Sequence, residues 1–167
     1  MNYGLKIKLH GKFGKKLILN KKFWKNKKVF ITGHTGFKGT WLFLFLKELG
    51  ANVHGYSINY AKNKHIFTKK NLIKLNTIGD VKNYNKLEKT ILNFKPEIII
   101  HLAAQPLVIK SYKDPYETFI TNMIGTLNII NISKKLKKIK SICIITTDKV
   151  YEDRKYIKAF KENDNLA

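Results

Sequence analysis

The most informative feature of the sequence is what it lacks. Cys143 is its only cysteine, so no disulfide can form within the chain. A membrane-spanning helix needs about 20 consecutive apolar residues, and no segment approaches that length. The basic N-terminal segment has one apolar patch at 17–19, whereas a secretory signal needs about 7–15 apolar residues. We therefore expect a soluble cytoplasmic protein with no membrane partner, in which Cys143, within the apolar run 142–145, is a small buried side chain.

Acidic residues and arginine are also scarce, whereas lysine is abundant. The 33 basic and 11 acidic residues give a net charge of +22, which would suit a nucleic-acid partner. Arg154, however, is the only arginine, and recognition of bases and phosphates favours the bidentate guanidinium group. The lysines are spread through most segments, so we interpret them as solvated surface and predict no nucleic-acid partner.

The pattern of apolar residues predicts an α/β fold. A chain of 167 residues is one domain's length. Residues 1–22 lack a long helical period and are expected to be a basic extension, disordered or a short hairpin, outside a domain of 23–167. Strands are predicted at 28–32, 51–58, 72–78, 96–104 and 141–147, and helices at 40–50, 84–94 and 115–138. This alternation predicts a Rossmann-like, doubly wound parallel sheet of about five strands.

Three glycines follow the first predicted strand. Gly33, Gly36 and Gly39 are spaced GxxGxxG at the start of the next helix. Dinucleotide-binding turns need glycine for the tight turn, for approach of the backbone to a pyrophosphate and for helix packing. In this strand-turn-helix context the spacing favours a dinucleotide site over a purely structural turn.

The next strands also end in polar residues. Asn59 stands where an acidic residue normally binds the adenosine ribose, and with Lys62 and Lys64 nearby the segment leaves NADP open, as it does a plain polar turn. Asp80 follows the third strand, where it could contact a nucleotide or cap the next turn. The five histidines show no metal-ligand spacing, so we expect no metal.

Several separated segments carry a family resemblance. They read FWKNKKVFITGHTGFKGTWL, IGDVKN, HLAAQPLVIKSYKDPYETFITNMIGT and TTDKVYEDRK. Together they resemble the extended short-chain dehydrogenase/reductases of the NAD-dependent epimerase/dehydratase family, and most closely the CDP-glucose 4,6-dehydratases, over residues 23–167. The dTDP-glucose relatives usually read GGAGFIG and TDE at the corresponding places. The resemblance implies NAD as cofactor, CDP-glucose as substrate and a lyase role in nucleotide-sugar metabolism for surface polysaccharide.

The resemblance also implies a set of cofactor-binding residues. Residues 35–38 would wrap the pyrophosphate, Asp80 and Val81 would contact adenine, and 102–105 with Thr121 would line the nicotinamide ribose. Asn122 matches a helix asparagine that organises the strand ends. The full set is Gly33, Thr35, Gly36, Phe37, Lys38, Gly39, Asn59, Asp80, Val81, Leu102, Ala103, Ala104, Gln105 and Thr121.

The catalytic residues implied by the resemblance are Thr147, Asp148 and Lys149. Thr147 would hydrogen-bond the sugar 4-oxygen, Asp148 would protonate the leaving 6-hydroxyl, and Lys149 would act at C5, where the dTDP enzymes use glutamate. Lysine can do so only with a depressed pKa. Composition alone would favour a strand end with a capping Thr or Asp, whereas the flanking match favours the catalytic interpretation.

One part of the family pattern is not matched. The family's catalytic YxxxK lies on a helix well beyond this triplet, whereas Tyr151 and Lys155 directly follow the fifth strand, so we interpret that pair as non-catalytic. The chain is then expected to be the N-terminal half of a dehydratase, inactive alone, that forms a homodimer or needs a complementary C-terminal chain. The alternatives are a non-catalytic NAD-binding remnant, another sugar-nucleotide epimerase or dehydratase and, least favoured, a basic nucleic-acid-binding protein.

The distribution of charge predicts weak, non-selective binding to nucleic acid. Lysines without arginine or regularly spaced aromatic platforms attract phosphate but do not read bases. Electrophoretic mobility shifts at physiological salt should show at most slight retardation, equal for unrelated DNA and RNA sequences. Tight binding to one sequence would contradict this prediction.

Overall fold

The computed structural model describes residues 21–59, 75–147, 150–152, 160–161 and 163–166. Within them, one sheet contains β1 (Lys28–Thr32), β2 (Asn52–Ser57), β3 (Asn76–Ile78), β4 (Ile98–His101) and β5 (Ser141–Ile144). All neighbouring strands pair in parallel, in the order β3-β2-β1-β4-β5. The predicted doubly wound sheet is confirmed. Because the chain crosses from β3 to the far side of β1, the order reverses between β1 and β4, where such sheets form a ligand crevice.

Helices connect these strands. They are α1 (Lys21–Trp24), α2 (Phe37–Glu48), α3 (Tyr84–Phe94), α4 (Val108–Lys113), α5 (Pro115–Phe119), a π-helical turn (Ile120–Ile124) and α6 (Gly125–Ser133). The prediction for α3 is confirmed: the Asn83 side chain accepts a hydrogen bond from the Lys86 amide at its start, and Lys95 ends it in the left-handed region.

The helix predicted at 115–138 is both interrupted and shorter. It contains the π-helical turn and ends at Ser133. The amides of Lys135 and Leu136 donate to the carbonyls three residues earlier, which tightens the chain out of the α-helix. The Lys140 amide then donates to the Glu97 carbonyl, 2.8 Å away, where β5 begins beside β4. The helix therefore ends before residue 138, because the chain turns back toward the sheet to pair with β4. The helix α4 was not predicted.

The core has two layers, one on each face of the sheet. On one face α2 packs against the strands through Phe43 and Leu46, and on the other α3 and α6 pack through Leu87, Ile91 and Ile129. Parallel strands buried on both faces need continuous apolar sequences, as β1 and β4 have.

One expectation from the sequence is corrected. Cys143 is exposed, because it lies on the face of β5 that no described element covers. The boundary expected at residue 22 stays a prediction. At that position Lys21 and Lys22 share a helical turn with Phe23 and Trp24, and Trp24 packs against the core. The rest of the extension, residues 1–20, lies outside the described residues. No helix in the described part of the chain is long and apolar enough to cross a bilayer.

Two buried histidines make the stability of the fold depend on pH. Burial lowers the pKa of His34 from 6.5 to about 4, and that of His101 by a similar amount, to about 4. The unfolded chain therefore binds more protons between these values, and the free energy of unfolding decreases as the pH falls through this range, by up to about 3 kcal/mol for each histidine. Hydrogen bonds from Lys140 and Lys27 lower the pKa of Glu97 to about 2, so its contribution is lost only at lower pH.

We expect urea unfolding midpoints to decrease steadily from about pH 7 to about pH 5. The His101→Gln variant, which lacks one of the two groups, should show a weaker dependence over the same range. Midpoints that rise on acidification, or equal slopes for the two proteins, would contradict the prediction.

Candidate functional site

The parallel strands place the predicted site residues at one edge of the sheet. Residues 33–36 follow β1, Asn59 follows β2, Asp80 and Val81 follow β3, residues 102–107 follow β4, and Thr147 follows β5. The turn after β1 and the loop after β4 flank the crevice at which the strand order reverses.

The three glycines of the turn have different reasons to be glycine. Gly33 has φ +71°, and a Cβ there would lie 2.8 Å from the Ala103 amide nitrogen. A Cβ on Gly39 would collide with the Gly33 carbonyl oxygen. Gly36, in contrast, has an ordinary φ of −71°, and a Cβ there would meet only the Gly33 oxygen, at 3.4 Å. Packing therefore requires glycine at 33 and 39, while Gly36 borders open space that a ligand can enter.

The N-terminus of α2 is built to receive an anion. Gly36 is its N-cap and has no side chain to accept the first N–H groups, which have no acceptor within the helix. Its first turn has no acidic residue, and Lys38 adds a positive charge to the positive end of the helix dipole. Phe37 is 82% exposed beside it. This arrangement suits a diphosphate.

His34 is part of the internal support of this turn. Its ring is fully buried and lies 5.6 Å from the Phe43 ring. Gly55 on β2 makes room for the ring, since a Cβ there would come within 2.5 Å of it. The His34 carbonyl accepts the Thr40 hydroxyl at 3.1 Å. Burial keeps the ring neutral near pH 7, so His34 shapes the turn without adding charge. Gly55 was not predicted from the sequence to be part of the site.

The turn after β3 is attached to α5 and α6. The Asp80 carboxylate accepts the Lys82 amide at 2.9 Å, as in a capping turn, while Tyr56 donates to the Asp80 carbonyl at 3.1 Å. The Lys82 ammonium contacts the Glu117 carboxylate at 2.6 Å, and this hydrogen bond raises the pKa of Lys82 and lowers that of Glu117. The Asn128 side chain donates to the Val81 carbonyl at 2.9 Å. The supporting residues Lys82, Glu117 and Asn128 were not singled out from the sequence, because their partners are distant in the chain.

The loop 102–107 begins with a hydrogen-bonded link to β1. The Thr32 hydroxyl oxygen accepts the Ala103 amide at 3.2 Å and lies 2.6 Å from Nδ1 of His101. The short contact with Nδ1 is a hydrogen bond whose direction depends on the histidine tautomer, because a hydroxyl oxygen that accepts from Ala103 can still donate its own proton or accept a second one. This link fixes the strand ends on both sides of the crevice.

Farther along the loop, Asn122 on the π-helical turn pairs with the peptide of Gln105. Its side-chain oxygen accepts the Gln105 amide at 2.8 Å, and its nitrogen donates to the Gln105 carbonyl at 3.2 Å. The neighbouring Thr121 donates to Glu117 at 3.2 Å. The asparagine thus organises the strand end, as the resemblance implied.

The predicted catalytic residues lie at the edge of the described structure. Thr147 is exposed beyond β5, and Asp148 and Lys149 lie outside the described residues. Tyr151 forms an antiparallel bridge with Leu166, and its ring stacks on Phe160 at 4.8 Å. Lys62, Lys64 and Lys155 also lie outside the described residues.

Comparisons with known proteins agree with this geometry. A family model described as GDP-mannose 4,6 dehydratase matches residues 30–167. The CDP-glucose 4,6-dehydratase of Salmonella typhimurium is 43% identical over 155 residues, which cover 90% of this chain and 42% of that protein. A UDP-glucose 4-epimerase of Mycoplasma genitalium is 29% identical over 125 residues, covering 74% and 37%. This chain spans about two fifths of the length of these curated relatives.

Solved structures share the fold. Pal from Bacillus thuringiensis has a TM-score of 0.73 and 25% identity, with 84% of this chain and 45% of that chain covered. The UDP-glucose 4-epimerase from Bifidobacterium longum, solved with NAD⁺ and UDP, has a TM-score of 0.74 and 21% identity, with 84% and 43% covered.

The different surroundings of the glycines generate a prediction for binding. The Gly36→Val variant should keep a melting temperature close to that of the unsubstituted chain, because its backbone is unstrained and the added atoms enter open space. The same atoms should abolish the binding of NAD, measured by calorimetry, if the open space at Gly36 receives the diphosphate as the sequence predicts.

The Gly39→Ala variant is the matched control. Its Cβ has no room beside Gly33, so its melting temperature should decrease. Equal NAD affinity of the unsubstituted chain and Gly36→Val would refute the assignment of the phosphate site.

Proposed function

Because this chain belongs to the GDP-mannose 4,6-dehydratase family, we propose that it is the NAD-binding half of a nucleotide-sugar 4,6-dehydratase that acts on CDP-glucose. The observation that carries the proposal is the open space at Gly36 beside the uncapped N-terminus of α2. In this unit, residues 23–167 are the cofactor-binding domain, and a substrate domain is supplied by additional polypeptide. The 43% identity with the Salmonella enzyme supports CDP-glucose over other nucleotide sugars.

The residues around the crevice fit a dinucleotide. The first turn of α2 and Lys38 suit its diphosphate, and Asn59 and Asp80 lie on the side where the adenosine half extends. Solved relatives of this fold with bound NAD support NAD as the ligand. Asn59 carries no charge that would repel a 2′-phosphate, so NADP is the informative comparison ligand.

The residues after β5 would bind the sugar and transfer its protons. When bound, NAD would accept the hydride from C4 and return that hydride to C6. We assign to Thr147 the hydrogen bond to the 4-oxygen, to Asp148 the proton for the leaving 6-hydroxyl, and to Lys149 the removal of the C5 proton. Thr147 lies at the carboxyl edge of the sheet, on the same edge as the phosphate site.

A protein partner is part of the proposal. Exposed apolar side chains follow one another along α4, α5, the π-helical turn and α6, with exposures of 47–86% for Tyr112, Tyr116, Phe119, Met123 and Leu127. Within the described residues, the outer edge of β5 pairs with no further strand. Exposed apolar surface of this kind is typical of an interface. A complementary chain, or a second copy of this chain, would cover it.

The second candidate is an NAD-binding protein without catalysis. The observation that favours it is the position of Tyr151, whose backbone pairs with Leu166 and whose ring stacks on Phe160. Such a tyrosine is held by structural contacts rather than placed as a base.

We predict that the chain does not convert CDP-glucose by itself. A positioned base contributes about 10²–10⁴-fold to such a reaction, and Tyr151 does not supply one here. Purified chain should be incubated with NAD and CDP-glucose, alone and with the C-terminal half of the Salmonella relative, while formation of the 4-keto-6-deoxy sugar is followed. Turnover is expected only in the mixture.

Two controls separate the alternatives. The Thr147→Val variant should reduce turnover in the mixture while NAD affinity is unchanged. NAD binding without turnover in any mixture would favour the non-catalytic candidate. Turnover by the chain alone that is lost in Tyr151→Phe would show that Tyr151 is the catalytic base after all.

A further inference from the structure

We propose that Gln105 is a positioning residue, which holds the loop 102–107 so that the backbone N–H of Ala104 is left as a hydrogen-bond donor for the nicotinamide half of the dinucleotide. The proposal rests on the NAD site proposed above. It assigns to Gln105 a role different from the cofactor contact expected from the sequence.

The side chain of Gln105 is fully engaged within the protein. It is 9% exposed, and its oxygen accepts the Leu107 amide at 2.8 Å. Its nitrogen donates to the Leu107 carbonyl at 3.1 Å and to the Thr118 hydroxyl oxygen at 3.0 Å. The Thr118 hydroxyl itself donates to the Asp114 carbonyl, so it can only accept from Gln105. These partners require one acceptor and two donors, which among side chains of this length only a carboxamide provides.

The backbone of Gln105 is equally occupied. Asn122 contacts both its N–H, at 2.8 Å, and its carbonyl, at 3.2 Å. Gln105 therefore has no donor left for a ligand. Its side chain and that of Asn122 instead fasten the loop to α5 and the π-helical turn.

All but one of the backbone amides of the loop donate to a partner within the protein. The amides of Leu102 and Ala103 donate to the carbonyl and hydroxyl of Thr32, and that of Leu107 donates to Gln105. Pro106 has no N–H. Ala104 is exposed, and its N–H has no acceptor among the described residues. Because the surrounding amides are fixed, this one donor is presented in a defined position.

The position of the loop indicates which part of the ligand this donor meets. A Cβ on Gly33 would lie 2.8 Å from the Ala103 nitrogen, so the loop borders the phosphate turn. In sheets of this topology the adenosine half extends from the phosphates toward the β2 side. The other half must extend toward β4, where the loop lies. Its carboxamide oxygen, which ADP-ribose lacks, is a suitable acceptor for an amide.

Calorimetry with NAD and with ADP-ribose tests this role, since ADP-ribose keeps the adenosine and diphosphate but lacks the nicotinamide. In Gln105→Glu one oxygen replaces the nitrogen that donates to both the Leu107 carbonyl and the Thr118 hydroxyl oxygen, so the loop should change shape. We expect NAD affinity to fall about tenfold, with ADP-ribose affinity unchanged within about twofold. The methionine of Gln105→Met has a similar length and places no acceptor oxygen against these two acceptors. This variant should therefore show a smaller loss of NAD affinity, again without a loss of ADP-ribose affinity.

The matched control is Asn128→Asp, the same amide-to-carboxylate change on α6. Asn128 holds the Val81 carbonyl on the adenosine side, so this variant should weaken both ligands by the same factor. A loss of stability alone would likewise affect both ligands equally in the Gln105 variants. Equal weakening of NAD and ADP-ribose in Gln105→Met, or no weakening, would overturn the proposal.

A measurement on the unsubstituted chain covers the case in which the variants do not fold. The amide resonance of Ala104 in a ¹H–¹⁵N spectrum should shift with NAD by more than with ADP-ribose. Equal shifts would overturn the proposal. Failure of the unsubstituted chain to bind either ligand would instead refute the NAD site itself.

Discussion

The close approach of two backbone segments at the centre of the sheet is the constraint on which the rest of the site depends. Gly33, in a left-handed conformation, lies against the backbone of Leu102 and Ala103, with no space for a side chain between them. The Thr32 hydroxyl bridges the same two strand ends through Ala103 and His101. This contact sets the width of the crevice between β1 and β4, and with it the distance from the phosphate turn to the loop that follows β4.

The continuous segment of α5, the π-helical turn and α6 contacts both sides of the crevice and so forms a common frame for them. Through Glu117 and Asn128 it supports the turn after β3, and through Thr118 and Asn122 it supports the loop after β4. Both sides are held by partly buried side-chain hydrogen bonds or ion pairs. Such polar contacts are more specific in geometry than apolar contacts. The π-helical turn carries Asn122 at the centre of this frame, where such turns often mark functional positions.

Several ion pairs of the protein lie away from the crevice, and the groups near the crevice are mostly uncharged. At the edge of the sheet away from the crevice, Glu97 is shared by Lys27 and Lys140, and Glu88 pairs with Lys135. Such exposed pairs add little to stability. Near the crevice, the buried histidines are neutral, and the unopposed helix terminus of α2 gives local positive potential without a cluster of cations. The net charge of +22 therefore acts through the long-range attraction of anions to the surface, whereas the crevice itself presents uncharged backbone donors.

The sequence by itself determined the doubly wound α/β fold class, the position of the glycine turn after β1 and the family, because apolar periodicity, glycine spacing and short motifs are local patterns. Only the tertiary structure distinguished Gly36, which faces open space, from Gly33 and Gly39, which face backbone. It also turned the Gln105 side chain inward, exposed Cys143 on an edge strand and interrupted the long helix at Ile120–Ile124. Two of these features depend on distant parts of the chain: Gln105 donates to Thr118, 13 residues away, and Gly33 faces Ala103, whose amide donates to Thr32, 71 residues away. No local pattern can specify contacts of that kind, since they form only when the crossovers have brought the strand ends together.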